Sequence, residues 1–200
     1  MNSPDSTGTL DTRYTPSYAE FDKRTVVRSA NTDRGTALEY KTEFGSLTDY
    51  RKGAIDIVDD DPRHYVFSNV FEVANAAKPW EKVAVGKNQE YVLEAIRAEG
   101  TSGWRTCAHD EFPLVMDGSV TVNLVKLDTP LAAADKGGSI AVAGEPVGKR
   151  MGRIVLGKGH MALLPANSAY QFVAETTSLI LLQTIQGDDT VERWADICLK

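Results

Sequence analysis

Short apolar runs separated by turn residues fill the second half of the chain, and they predict β-strands. Val120, Val122 and Leu124 alternate with Thr121 and Asn123, which is the period of a strand with one buried face. Similar runs predict strands at residues 91–98, 104–108, 112–116, 119–127, 153–156, 161–164, 169–174 and 179–186. Many short strands at short spacing are typical of a β-sandwich or barrel.

The connections between these runs carry equally clear signals. Asp117-Gly118 predicts a hairpin turn between two strands, and Gly157-Lys158-Gly159 and Pro165-Ala166-Asn167 predict further turns. Residues 128–148 predict a long loop. The apolar cluster at residues 65–73 fits either a short helix or a buried strand, because its period does not separate the two. Residues 189–199 predict a helix that Asp189 or Thr190 caps.

The N-terminal part has a different composition. Residues 1–20 are rich in Ser, Thr, Asp and Pro, which is typical of a mobile arm or one wrapped around a partner. We therefore divide the chain into an irregular arm, residues 1–60, and a β-domain with its terminal helix, residues 61–200.

Composition and charge argue against several classes of partner and location. The net charge of −6 argues against a nucleic-acid partner and against an anionic membrane surface. No run of 18 apolar residues predicts a membrane span, and the polar N-terminus does not resemble a secretory signal. The two cysteines, Cys107 and Cys198, form no disulfide framework. These features predict a cytoplasmic protein.

Two stretches of the β-region have a family-specific spacing. In the first, six residues separate Glu111 from Gly118. In the second, five residues separate Gly159 from Pro165, and Tyr170 follows five positions later. Together they resemble the two motifs of the cupin superfamily over roughly residues 90–187. The resemblance implies a mainly β, cupin-type jelly-roll barrel, here with an extended N-terminal arm and a short C-terminal helix.

The metal-binding positions of the cupin motifs are altered. Cupins hold a divalent metal with two His and a Glu from the first motif and a His from the second. Glu111 remains, but Arg105, Cys107 and Tyr170 stand at the His positions (the longer spacing of the first motif gives Trp104 and Thr106), and Asn167 replaces a usual Gly. Arg repels cations and Tyr is an uncommon ligand, so we expect no metal at this site.

A displaced metal site is the alternative. Alternate residues of a strand share a face, so Arg105, Cys107, His109 and Glu111 could all point into the barrel. His109 and Glu111 could then join His160 in a two-His, one-carboxylate site for Fe(II). Asp110 and Pro113 make continuous strand geometry doubtful there. We favour a cluster of Arg105, His109 and Glu111 held by ion pairs and hydrogen bonds.

Two further residues are of interest. Cys107 reads as a buried structural thiol rather than a nucleophile. Trp80, which follows Pro79 outside the predicted strands, reads either as a cover over the core or as an anchor at an interface or substrate pocket.

A narrower resemblance rests on residues 59–65, 78–87, 108–112 and 193–198, which read DDDPRHY, KPWEKVAVGK, AHDEF and RWADIC. These segments resemble the small subunit of two-subunit hydroquinone 1,2-dioxygenases. The resemblance implies a small subunit without metal, partnered in a hetero-oligomer by a cupin large subunit that carries Fe(II). The assembly opens the ring of a hydroquinone with O2 to give a hydroxymuconic semialdehyde, with the aromatic substrate at or near the subunit interface and Trp80 as a possible wall.

Two other functions stay open at this point. The chain could be a stand-alone metal-dependent cupin enzyme that uses His109, Glu111 and His160. It could instead be a cupin without catalysis that binds a small carboxylate or phenolate near Arg105 and Tyr170.

Overall fold

A computed structural model describes residues 45–51, 58–60 and 68–194 of the 200-residue chain. Most of the predicted arm, residues 1–60, lies outside these ranges, and so do Cys198 and the end of the predicted C-terminal helix. In the described ranges the chain forms a helix, α1 (Val70–Ala76), and the strands β1 (Lys82–Asn88), β2 (Tyr91–Thr101), β3 (Arg105–Thr106), β4 (Phe112–Asp117), β5 (Ser119–Leu127), β6 (Ile140–Ala141), β7 (Gly148–Gly157), β8 (Ser168–Ile185) and β9 (Thr190–Val191).

The ambiguous apolar cluster ends in helix α1. Asn69 caps this helix, since its side-chain oxygen accepts hydrogen bonds from Phe71 N at 3.0 Å and from Glu72 N at 3.4 Å. Phe71, Val73 and Ala74 are buried on one face. The cap residue and the helical spacing of the buried positions explain why this segment is not a strand.

Strand β8 organises the sheet because it pairs with four other strands. Its C-terminal half lies between β2 and β4, and its N-terminal half lies between β5 and β3. β7 extends the sheet beyond β5, β6 pairs with β3, and β1 and β9 follow beyond β2. A strand that serves two layers curls the sheet, and this is the cupin-type jelly roll that the sequence predicts.

The curled sheet has two apolar faces. Its inner face carries the main core, which includes Ile96, Val115, Val122, Phe172 and Ile180. Part of its outer face is covered by α1, where Phe71 and Val73 pack with Val83, Ala95 and Leu179. Leu47 and Tyr50 pack against this second cluster.

Several expected elements differ in the structure. The two strands expected at residues 169–174 and 179–186 are one long strand, β8. Residues 161–164 make only isolated bridges, between Leu114 and Met161 and between Glu111 and Leu164. β1 was not expected, because its Lys, Gly and Asn residues obscure the alternation. Thr190–Val191 is a strand that pairs in parallel with β1, so the predicted helix start at Asp189 is wrong.

Asp117-Gly118 is a corner rather than a hairpin turn. β4 and β5 do not pair with each other; each pairs with a different half of β8. Gly118 has φ +78°, and a Cβ there would lie 2.2 Å from Ser178 Oγ. The prediction of a tight turn was therefore correct in position and wrong in the pairing that it implied.

No helix among the described residues has the length and apolar character needed to cross a membrane.

We predict that Gly118→Ala lowers the free energy of unfolding by about 2–4 kcal/mol, because it adds both a left-handed backbone penalty and a clash. Ser178 cannot easily move, since its hydroxyl oxygen accepts a hydrogen bond from Ser119 N at 3.1 Å. Denaturant unfolding measures the effect. Gly103→Ala is the control, because a Cβ at Gly103 has no neighbour within 4 Å. Equal stability of the two variants would contradict the corner's role.

Candidate functional site

Cys107, His109 and Glu111 converge although they do not lie on one continuous strand. β3 ends at Thr106. The backbone of Glu111 pairs with Leu164 in an isolated bridge, with N···O distances of 3.1 and 2.9 Å. Each residue offers a potential metal-ligating atom, and these atoms lie within 4.8 Å of one another. The irregular backbone that Asp110 and Pro113 indicated is therefore present, and it still brings the three side chains together.

Thr184 links two members of this group. Its hydroxyl donates to Glu111 Oε1 at 2.7 Å, and it lies 2.8 Å from His109 Nε2. The backbone N–H of Ile185 donates to the same ring nitrogen at 3.2 Å, and Cys107 Sγ donates to the His109 carbonyl at 2.8 Å. A metal ion at this position would have to displace hydrogen bonds that the three side chains already make.

Burial raises the pKa of two groups near Glu111, the Cys107 thiol and the Tyr170 phenol. The side chains of Cys107 and Tyr170 are each 1% exposed. Burial raises the pKa of the Cys107 thiol, and the nearby Glu111 carboxylate raises it further. The same two causes, in the same order, raise the pKa of the Tyr170 phenol well above its usual value. Both groups are therefore protonated at neutral pH in the metal-free protein.

Two buried oxygen atoms in this region are unsatisfied. Tyr170 OH and Glu111 Oε2 form no hydrogen bond among the residues that the structure describes. Glu111 itself is fully buried. These atoms mark a polar interior at the place where the cupin motifs would hold their metal.

Arg105 does not form the expected cluster with His109 and Glu111. Its guanidinium group pairs with Asp189 and donates to Ser139, to Oγ at 2.8 Å and to the carbonyl oxygen at 2.7 Å. His109 and Glu111 are linked through Thr184 instead. The expected interaction fails because Asp189, on the segment after β8, competes for the guanidinium group from a position that strand spacing does not reveal.

Lys82 is a buried cation beside Arg105. Its Nζ atom donates to Ser139 Oγ at 2.7 Å and lies 3.5 Å from Asp189 and 3.9 Å from Glu94. Glu94 also accepts a hydrogen bond from Thr190 at 2.6 Å. Burial raises the pKa of Glu94, and the ammonium group of Lys82 acts in the opposite direction. Lys82 and Glu94 are buried, whereas Arg105 is 24% exposed and Asp189 39% exposed, so this group of charges runs from the interior to the surface.

Sequence reasoning missed Lys82, Glu94, Ser139, Thr184 and Asp189. A signal existed for two of them. Glu94 alternates with Val92 and Ile96, and Thr184 alternates with Ile180 and Leu182, so both stand at inward-facing positions of apolar strands. Of the other three, Lys82 begins β1, and Ser139 and Asp189 lie outside the strands; the sequence pattern predicted neither β1 nor these contacts.

His160 and Trp80 lie apart from this group. His160 is exposed in the turn after β7, where its Nδ1 accepts a hydrogen bond from Gly157 N at 3.0 Å. The structure therefore groups His109 and Glu111 with Cys107, not with His160. Trp80 packs against the core and stacks on Phe172, with ring centroids 6.3 Å apart and planes 6° apart. Its φ of +63° is unusual for a residue with a side chain.

Asn167 shows how the second motif keeps its turn. It stands where cupins usually have Gly, and its φ is +60°. Asn tolerates the left-handed conformation better than most residues. The second motif therefore has a left-handed turn residue at this position, although Tyr170 stands where cupins have their last His ligand.

Solved structures show what the chain is similar to. It is 51% identical to a chain of the hydroquinone 1,2-dioxygenase PnpCD in complex with Cd²⁺ and 4-hydroxybenzonitrile, over 82% of this chain and 100% of that chain, with a TM-score of 0.77. It is 56% identical to a chain of the hydroquinone 1,2-dioxygenase from Sphingomonas sp. TTNP3 with 4-hydroxybenzoate bound, over 81% of this chain and 99% of that chain, with a TM-score of 0.76. No protein-family model and no curated protein matches.

A different chain of PnpCD shares the fold alone. In the complex with Fe³⁺, the similarity covers 72% of this chain and 40% of that chain, at 9% identity and a TM-score of 0.52. The matched fold makes up all of one chain and less than half of the other. The enzyme PnpCD therefore contains two different chains, and the second is the longer.

We predict that Thr184→Val destabilises the protein by about 2–3 kcal/mol, because it leaves the buried Glu111 carboxyl without its hydrogen-bond donor. Thr121→Val is the matched control on the outer side of β5, where the same substitution should change stability by less than about 0.5 kcal/mol. Thermal or denaturant unfolding measures both. If the two variants unfold alike, the hydrogen bonds of Thr184 do not contribute to the stability of the protein.

Proposed function

This chain belongs to the hydroquinone 1,2-dioxygenase family, and from that premise we propose that it is the small, non-catalytic subunit of an Fe(II)-dependent ring-cleaving enzyme. A cupin large subunit would carry the iron. The complex would insert O2 into a hydroquinone-type substrate and yield a hydroxymuconic semialdehyde. The small subunit would support assembly in the cytoplasm and form part of the active-site wall.

The observation that carries this proposal is the high identity over a complete chain of two such dioxygenases. Both matched chains are covered almost entirely, so the similarity is not confined to one motif. The longer chain of PnpCD provides a model for the partner. We infer that this chain pairs with a corresponding longer chain.

The donor set of this chain does not fit the iron of a cupin. Arg105 stands at one His position with its guanidinium group paired to Asp189. Cys107 and Tyr170 stand at the other two, and burial raises the pKa of both groups. These contacts support the assignment of the iron to the partner subunit, and we assign no catalytic step to these three positions.

Trp80 is our choice for the residue that reaches the substrate. Its backbone N–H donates to the Arg97 carbonyl at 2.9 Å, and its ring lies on Phe172, so the indole is fixed in place while part of it stays accessible. A left-handed backbone at a residue with a side chain costs roughly 1–2 kcal/mol. Such strain is often retained at functional sites. Trp80 would exclude water from the aromatic substrate at the subunit interface.

One observation favours a second candidate function. The convergence of Cys107, His109 and Glu111 would suit a stand-alone metal-dependent cupin enzyme if a divalent ion displaced the present hydrogen bonds. Activity of the chain without a partner separates the two candidates.

We predict that the purified chain alone has no ring-cleaving activity and that co-expression with the longer chain restores it, as measured by O2 consumption and product absorbance with hydroquinone. In that complex, Trp80→Ala should lower kcat/KM by roughly tenfold or more, while Trp80→Phe should retain most activity. Full activity of the isolated chain would refute the subunit role. Full activity of the assembled Trp80→Ala complex would remove Trp80 from the pocket wall.

A further inference from the structure

Part of the sheet's outer face is not packed against any other element in the described part of the chain. α1 shields Val83, Ala95 and Leu179. Beyond it, Tyr91 is 52% exposed, Leu93 43% and Phe112 37%. Met161 and Leu163, on the segment that bridges to β4, are 61% and 45% exposed. Large apolar side chains on neighbouring strands need a reason to face water.

These side chains form one surface. Leu93 of β2 and Phe112 of β4 both lie opposite Gln183 of β8, so the three residues make a row across the sheet. Tyr91 lies in the next row, opposite Ile185. Met161 extends the surface at the far edge, opposite Leu114. We call this surface the docking face: Tyr91, Leu93, Phe112, Met161, Leu163 and Gln183.

Two clefts indent the docking face. One, of about 260 Å³, is lined by Tyr91, Phe112 and Gln183 together with His109 and Asp110. The other, of about 360 Å³, is lined by Tyr91, Leu93 and Gln183 together with Lys87 and Asn88. An apolar centre with indentations and a polar rim is the anatomy of a protein interface, where anchor side chains of one partner fill pockets of the other.

The area of the docking face is that of a patch rather than of a whole interface. Its side chains expose on the order of 400 Å² of mostly apolar surface, within the range of the largest patches on ordinary monomers. A standard interface buries about 800 Å² on each partner. The docking face would supply the apolar core of such an interface, and the rim residues would supply the remainder.

The other exposed edge of the sheet has the opposite character. β7 also exposes apolar residues, Met151 and Val155, but they are interspersed with Lys149, Arg150 and Arg153. Its pairing with β5 contains a bulge at Met151. Cations and bulges on an edge strand prevent association. The docking face therefore favours association and β7 opposes it, so a substitution on β7 provides a matched control.

We propose that the docking face binds the longer, iron-bearing chain of the dioxygenase, an inference that rests on the function proposed above. We take the longer chain as the occupant because PnpCD contains such a chain and part of it shares the fold of this chain. Two chains of one fold can pack through equivalent sheet faces about an approximate two-fold axis, as identical subunits do. Apolar packing of sheet against sheet accounts for the composition of the docking face.

The test uses the two chains co-expressed, with a tag on the longer one. Leu93→Glu and Phe112→Glu place charges in the docking face, and Val155→Glu places the same charge on β7. Each docking-face variant should weaken binding roughly tenfold or more, while Val155→Glu should stay within about twofold of the parent chain. Thermal unfolding of each variant confirms that it folds. A photo-crosslinking p-benzoylphenylalanine at Tyr91, which changes the surface little, should join this chain to the longer one.

The outcomes are distinguishable. If the parent chain and the longer chain associate but Leu93→Glu and Phe112→Glu do so equally well, the docking face is wrong and the proposed function stands. Crosslinking from Tyr91 only to a second copy of this chain would likewise overturn the docking face. If the parent chain does not associate with the longer chain at all, the proposed function fails, and the docking face fails with it.

Discussion

Buried carboxylates in the interior of the curled sheet require positive charge or a proton, because ionised groups lose their hydration there. In a metal-binding cupin the ion supplies the charge. Here the buried ammonium group of Lys82 lies 3.9 Å from Glu94, and both Lys82 and the more exposed Arg105 contact Ser139 and Asp189. Glu111 is held by Thr184, and Tyr170 and Cys107 keep their protons. These contacts connect β1, β2, β3 and the segment after β8 through one group of charges.

The same charges position the segment after β8. Asp189 pairs with both Lys82 and Arg105, and Thr190 donates to Glu94. Because of these contacts, the chain leaves β8 and forms the short parallel strand β9 beside β1 instead of starting a helix at Asp189. An electrostatic requirement inside the sheet therefore determines secondary structure at its margin. Local propensity alone favoured a capped helix there.

The sequence predicted the features that depend on local pattern. Alternation located β5, and the cupin-like spacing of Glu111, Gly118, Pro165 and Tyr170 predicted the fold class. Features that depend on long-range pairing were not predictable in the same way. The corner at Gly118 has the residues of a hairpin turn, and only its two separate partners on β8 distinguish it. Arg105 could not be assigned to Asp189, because 84 residues separate them.

The central claim is that this chain has replaced the metal of a cupin by protein charges and acts through its partner. Metal analysis by inductively coupled plasma mass spectrometry tests it most directly, on the chain purified alone and on the co-purified two-chain complex. The account predicts almost no iron, manganese, nickel or zinc in the isolated chain and about one iron per pair of chains in the complex. About one tightly bound metal per isolated chain, lost on substitution of Cys107, His109 or Glu111, would contradict it and would make the interior a metal site in its own right.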